Sequence, residues 1–208
     1  MTPRIILVPF RGAQDSAALT HALTLADAHD ASVEAWHVLP DPERAAFSYP
    51  YEAEIIYPIG EIQRAQEAND ASCRKAERAF HESARETDLS RASFHTLLGS
   101  IEDIAAGRAR TSDLVVIKRD NAEAGRPMIN EFLFNSGRPL LLLPPTPPEK
   151  KSGNILIAWN GSREAARAVT QVVIDSTQGR PGSVVERGGR FQAGLELQRA
   201  ARQIALNV

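Results

Sequence analysis

Arg4-Ile-Ile-Leu-Val-Pro-Phe-Arg-Gly-Ala-Gln-Asp-Ser16 sets out a short apolar run, a glycine and a polar helix start in immediate succession. Ile5 to Pro9 is too short for a helix and apolar without alternation, the pattern of a strand buried on both faces of a parallel sheet. Gly12 allows a turn, and Asp15 or Ser16 can cap a helix whose Leu19, Ala22, Leu23 and Ala26 fall on one face. The motif then returns as Ile155-Leu-Ile-Ala-Trp-Asn-Gly-Ser-Arg-Glu-Ala-Ala166. An offset of 149 lays Ile6, Leu7, Val8, Phe10 and Gly12 over Ile155, Leu156, Ile157, Trp159 and Gly161. Two copies of one strand-turn-helix opening imply a repeated unit.

Outward from that opening, Val33 to Leu39 reads as a second strand, rich in β-formers and stopped by Pro40. Pro40 to Gly60 has no clean period but holds Phe47 and every tyrosine of the chain, Tyr49, Tyr51 and Tyr57, as expected of a long loop pinned by its own rings or serving as a lid. A long helix is predicted over 61–87, with Ile62, Ala65, Asn69, Cys73, Ala76, Phe80 and Ala84 along one stripe. Phe94 to Leu98 is a third strand, ended by Gly99. Ser100-Ile-Glu-Asp103 has the spacing of a capping box and opens a short helix to about Arg110. Leu114 to Ile117 is a fourth strand, Met128 to Asn135 a last short helix stopped by Ser136-Gly137, and Leu140 to Leu143 a fifth strand. A stiff proline-rich stretch follows from Pro144.

The chain of 208 residues has room for one ordinary domain and part of another. A formal charge of -2 gives no electrostatic ground for a nucleic acid or an anionic membrane as partner. The lone Cys73 cannot form an intramolecular disulfide, which fits a reducing compartment, and no run approaches the length of a membrane span. The expectation is a cytoplasmic protein. Strands and helices in alternation imply right-handed crossovers and an open five-stranded parallel sheet sandwiched by helices, an α/β fold of Rossmann-like type. The expected organisation is an α/β domain over 1–145, a linker over 146–153 and an incomplete second repeat over 154–208. In such sheets ligands bind beyond the carboxyl ends of the strands, where strand order reverses. That rule gathers Arg11, Gly12, Leu39, Lys118 and Gly125 around a candidate crevice.

This order of motifs resembles the universal stress protein family. Ile155 to Ala168 is similar to its opening strand and first helix, and Asn135-Ser-Gly-Arg-Pro-Leu-Leu-Leu-Leu143 to its approach to the last strand. The resemblance implies a role in the stress response. Members that bind ATP carry G-x2-G-x9-G-S/T between the fourth strand and the last helix, glycines letting backbone amides close on phosphate. Here Lys118 to Pro127 offers a single glycine, Gly125, and Pro127 lacks an amide donor. The acidic residue that contacts nucleotide after the family's first strand is replaced by Arg11, and by Asn160 in the second copy. The resemblance therefore implies a member without the usual ATP site and without a required cofactor; the alternative is an ATP- or AMP-binding, or nucleotide-hydrolysing, protein of the same superfamily. Likeness fades after Val169, and the remainder, rich in glycine and arginine, reads as a divergent tail, as a shifted reading frame would produce, with a candidate helix from about Phe191 to Leu206.

Gly12-Ala-Gln-Asp-Ser16 is also similar to the pyrophosphate loop of PP-loop ATP pyrophosphatases, but Arg11 replaces its first serine and Ala13 its second glycine. The histidines His21, His29, His37, His81 and His95 lack metal spacing, and His37 and His95 fall in strands, where a hydrogen-bonded histidine is the expectation. No G-x-S-x-G elbow occurs. The apolar run Leu140 to Leu143 predicts a homodimer along that edge, or capture of the strand Ile155 to Trp159 by its own or another chain.

Overall fold

The computed structural model describes residues 3–42, 59–85, 89–119 and 126–145, with two short strands at 157–159 and 184–186. The aromatic residues of the long loop, Gly125, most of the proline-rich linker and the candidate helix after Phe191 lie outside the described residues. The chain divides into two units, Pro3–Pro147 and Pro148–Val208, the latter with Met1–Thr2.

The first unit alternates strands and helices. In order they are β1 (Ile5–Pro9), α1 (Ser16–His29), β2 (Ser32–Leu39), α2 (Ile59–Ser83) and β3 (Ala92–Leu98). There follow α3, which starts as Ile101–Asp103 and continues through a π turn at Ile104–Arg108 into a 3-10 turn at Ala109–Thr111, then β4 (Leu114–Lys118), α4 (Arg126–Asn135) and β5 (Leu140–Leu143). All five strands are parallel, in the order β3-β2-β1-β4-β5.

Alternation along β1 divides the core. Ile6, Val8 and Phe10 pack with Leu19, Leu23 and Ala26 of α1 and Ala79, Phe80 and Ala84 at the end of α2. Leu7 faces the other way, into Trp36, Ile104, Met128 and Phe132. Successive strand residues point to opposite faces, so an unbroken apolar run requires cover on both. Each large buried side chain contributes about 1.5–3 kcal/mol, and Phe10 and Phe132 are wholly buried. The stripe expected on α2 is present but unevenly covered. Ala76, Phe80 and Ala84 are buried, whereas Ile62, Ala65, Asn69 and Cys73 are half-buried, because the ring cluster of Phe10, Phe80 and Phe94 sits at the helix's far end.

Local signals act where the residues suggest. The Asp103 carboxylate accepts from the Ser100 amide at 2.9 Å, closing the capping box. Asp30, at φ 55, ends α1 by donating its amide to the Ala26 carbonyl. Helix α4 begins two residues before Met128, a start that Pro127 suits because a first-turn residue needs no intrahelical donor.

In the second unit, β6 (Ile157–Trp159) pairs in parallel with β7 (Val184–Glu186). The sequence suggests no strand after Val169. A three-residue strand set between Gly182 and the Gly188-Gly189 pair is too short for a period to stand out. The strand expected to need a partner thus finds one within its own chain.

Candidate functional site

The crossovers run from β1 through β2 to β3 in one direction and through β4 to β5 in the other, so the switch point lies between the tips of β1 and β4. Beyond β1, the Phe10 amide donates to the Trp36 carbonyl at 2.8 Å and the chain turns at Gly12, with φ 122 and ψ -150. A side-chain carbon there would stand 3.9 Å from the Ala76 Cα, an ordinary contact. Glycine is therefore selected by the backbone angle rather than by space.

Asp15 does something other than cap α1. It occupies the cap position, but its side chain makes no cap hydrogen bond. Instead the carboxylate turns back on Arg11, accepting from its backbone amide at 2.8 Å, from Nε at 2.9 Å and from Nη2 at 2.8 Å. Asp15 is 2% exposed. A carboxylate that deep needs a charge partner and donors, and the planar guanidinium supplies both in bidentate geometry. Arg11 is thereby neutralised inside the turn. Across the switch point, Lys118 Nζ donates to the Gln14 carbonyl at 3.2 Å, tying the tip of β4 to the turn after β1.

A second set of ties fixes the rim. His37, 4% exposed, shares a hydrogen bond through Nδ1 with the Phe10 carbonyl at 2.8 Å and through Nε2 with Ser72 Oγ of α2 at 3.1 Å. With the carbonyl as acceptor, Nδ1 carries the proton. Asn69 Nδ2 donates to the Pro40 carbonyl at 2.8 Å. Helix α2 therefore meets the strand tips at residues 69, 72 and 76, spaced to recur on one helix face. Leu39 is buried and its carbonyl accepts from the Gly99 amide at 2.9 Å, which places it in the rim as structure.

Of the five residues expected at the crevice, Gly12 and Lys118 are brought together through Gln14, Arg11 folds onto Asp15 and Leu39 closes the β2 side, while Gly125 lies outside the described residues. The expectation for the strand histidines holds: His37 is tied as above, and His95 Nε2 bonds Ser93 Oγ at 2.8 Å while its ring stacks on Trp36. Asp15, Gln14 and Ser72 carry weight that the sequence did not assign them; the opposite charges of Arg11 and Asp15, four apart, were the one available signal.

Among the described residues, no group of three or more His, Cys, Asp or Glu is placed to hold a metal, and no helix is long and apolar enough to cross a membrane. Cys73, half-buried on α2, has its thiol pKa pushed up by desolvation and by Glu77 and Asp70, against the opposing pull of Arg74.

No protein-family model matches the sequence, and no curated protein matches it. Solved structures do. The universal stress protein UspA from Lactobacillus plantarum aligns with a TM-score of 0.52 and 16% identity, over 67% of this chain and 97% of that one. The hypothetical protein MJ0577 aligns at 0.50 and 14%, over 73% and 100%. This chain has the universal stress protein fold. A universal stress protein in complex with cAMP also aligns, at 17% identity over 70% of this chain and all of its own, with a TM-score of 0.42. The share of the chain that aligns with UspA is close in extent to its first unit.

Proposed function

We propose that the protein is a universal stress protein-like module of the stress response that binds a partner or small ligand at the strand tips and does not hold ATP in the manner usual for the fold. One observation carries this reading: the cation nearest the glycine turn, Arg11, is closed onto a buried carboxylate of its own loop. A triphosphate needs free cations and convergent amides. Here it would meet an already neutralised pair, and the sequence from Lys118 to Pro127 offers one glycine and, at Pro127, no amide donor. Lys118, whose ammonium reaches the Gln14 carbonyl, and Arg119, next to it at the tip of β4, are further cations at the switch point, and the tied Lys118 suits a small anion or a polar partner group better than a long phosphate chain.

The test is a thermal-shift and calorimetric titration with ATP, ADP, AMP and cAMP. The expected result is no saturable stabilisation by ATP. Saturable stabilisation that is lost in Lys118→Ala would instead establish the nucleotide-binding alternative. The same reading makes the protein a homodimer joined along β5, an edge strand made wholly of leucine.

A further inference from the structure

The two units share a register that the sequence offset does not by itself require. In the first, Val8 of β1 stands beside Ala35 of β2; in the second, Ile157 of β6 stands beside Val184 of β7. Each pair is separated by 27 positions, and both pairings are parallel. The offset of 149 that aligns β1 with β6 also carries Ala35 onto Val184 and Trp36 onto Val185. The first coincidence comes from residue types at one strand, the second from backbone pairing at another. A slip of one residue would have turned every side chain of β7 to the opposite face.

We infer that the chain from Asn154 to at least Glu186 is a second copy of the opening β-α-β unit, with β7 in the place of β2, and that the segment beyond Val169 belongs to the repeat rather than to an unrelated tail. The interval between the strands has the composition this demands: Ala165, Ala168, Val169, Val172 and Val173 recur at helical spacing. A parallel pair needs a crossover of a dozen or more residues, and the interval supplies one of the same length as that holding α1. Aromatic answers aromatic at the strand tips, Trp159 for Phe10, and glycine follows two residues later in each copy. The consequence for interaction is specific. With β7 in the place of β2 and the usual right-handed crossover, β7 takes the side of β6 that β2 takes of β1, so any further strand from a partner or another part of the chain adds on the opposite edge, where β1 takes β4.

Two measurements on the full chain test this. In a Cys73→Ala background, Ala158→Cys with Val185→Cys is cross-linked by a short thiol reagent and compared with the slipped pair Ala158→Cys with Ser183→Cys. The in-register pair is expected to give the higher intrachain yield; an equal or higher yield from the slipped pair overturns the inference. Amide exchange then follows Ile157–Trp159 in wild type, Val185→Thr and Val185→Pro. Protection retained with threonine and lost with proline, while Ile5–Pro9 stays protected in all three, is the expected result. Protection absent from wild type, or unchanged by proline, overturns it.

Discussion

Arg11→Ala removes two charge-assisted hydrogen bonds from a carboxylate that is 2% exposed, and Asp15→Asn keeps the shape of the acid while discharging it. Each change is expected to lower stability by about 1.5–3 kcal/mol, read as a shift in the urea midpoint, because bonds to buried charged groups are the stronger kind. Equal stability of Arg11→Ala and wild type would mean that the pair is a surface contact of little weight. Gly12→Ala tests a different cause: nothing crowds the new carbon, so its expected loss of about 1–3 kcal/mol comes from backbone angle alone. Cys73 gives a prediction with a sign in pH. Desolvation, Glu77 and Asp70 all favour the neutral thiol, so alkylation at neutral pH is expected to be slower than for an unhindered thiol and to rise with pH beyond the usual cysteine range. Replacing Glu77 and Asp70 by their amides should speed the reaction at neutral pH; no change would show that access to the half-buried sulfur, not charge, sets the rate.

The elements were legible to different degrees for physical reasons. Strand β1 was bounded to the residue, because a six-residue apolar run between Arg4 and the Arg11-Gly12 turn, with a proline at its fifth place, admits little else. The α2 stripe was legible as a stripe, yet its uneven burial depends on where Phe10 and Phe94 arrive from other strands, which helical periodicity does not contain. At the candidate site, Gly12 and Lys118 followed from the switch-point rule, whereas the Asp15 carboxylate looked like a cap until the turn was seen to bring Arg11 back to it. The π turn inside α3 had no signal in the sequence. The entry to that helix is a sharp test of local design. An added carbon at Gly99, where φ is 152, would lie 2.7 Å from the Asp103 carboxylate that closes the capping box. Ser100→Ala should cost about 0.5–2 kcal/mol as a lost cap, and Gly99→Ala should cost more. In Gly99→Ala/Asp103→Ala the clash is gone, so the two effects should be less than additive in a double-mutant cycle; strict additivity would mean that the carboxylate swings away freely.

At the scale of the molecule, the order β3-β2-β1-β4-β5 leaves β3 and β5 at the margins of the first unit's sheet, and the two margins differ in character. Strand β3 mixes Ser93, His95 and Thr96 with its apolar residues, whereas β5 is Leu140 to Leu143 without a charge or a proline to discourage pairing. Leu141 and Leu143 pack against one core layer and Leu140 against the other, leaving Leu142 41% exposed; on the preceding helix α4, Leu133 and Phe134 are 54% and 75% exposed. Burying such side chains between two copies contributes about 25 cal/mol for each Å² of apolar surface removed from water, and the outer backbone of β5, at the margin of the sheet among the described residues, can supply directional hydrogen bonds to a second β5. Sedimentation velocity should therefore find a dimer. Leu142→Lys places a charge on the edge, where a sheet tolerates it, and is expected to give a folded monomer with an unchanged far-ultraviolet spectrum, while Leu98→Lys on the opposite margin should leave the dimer intact. A wild type that stays monomeric at high concentration, or a Leu142→Lys variant that still dimerises, would remove β5 as the interface and assign its leucines to cover within a single chain.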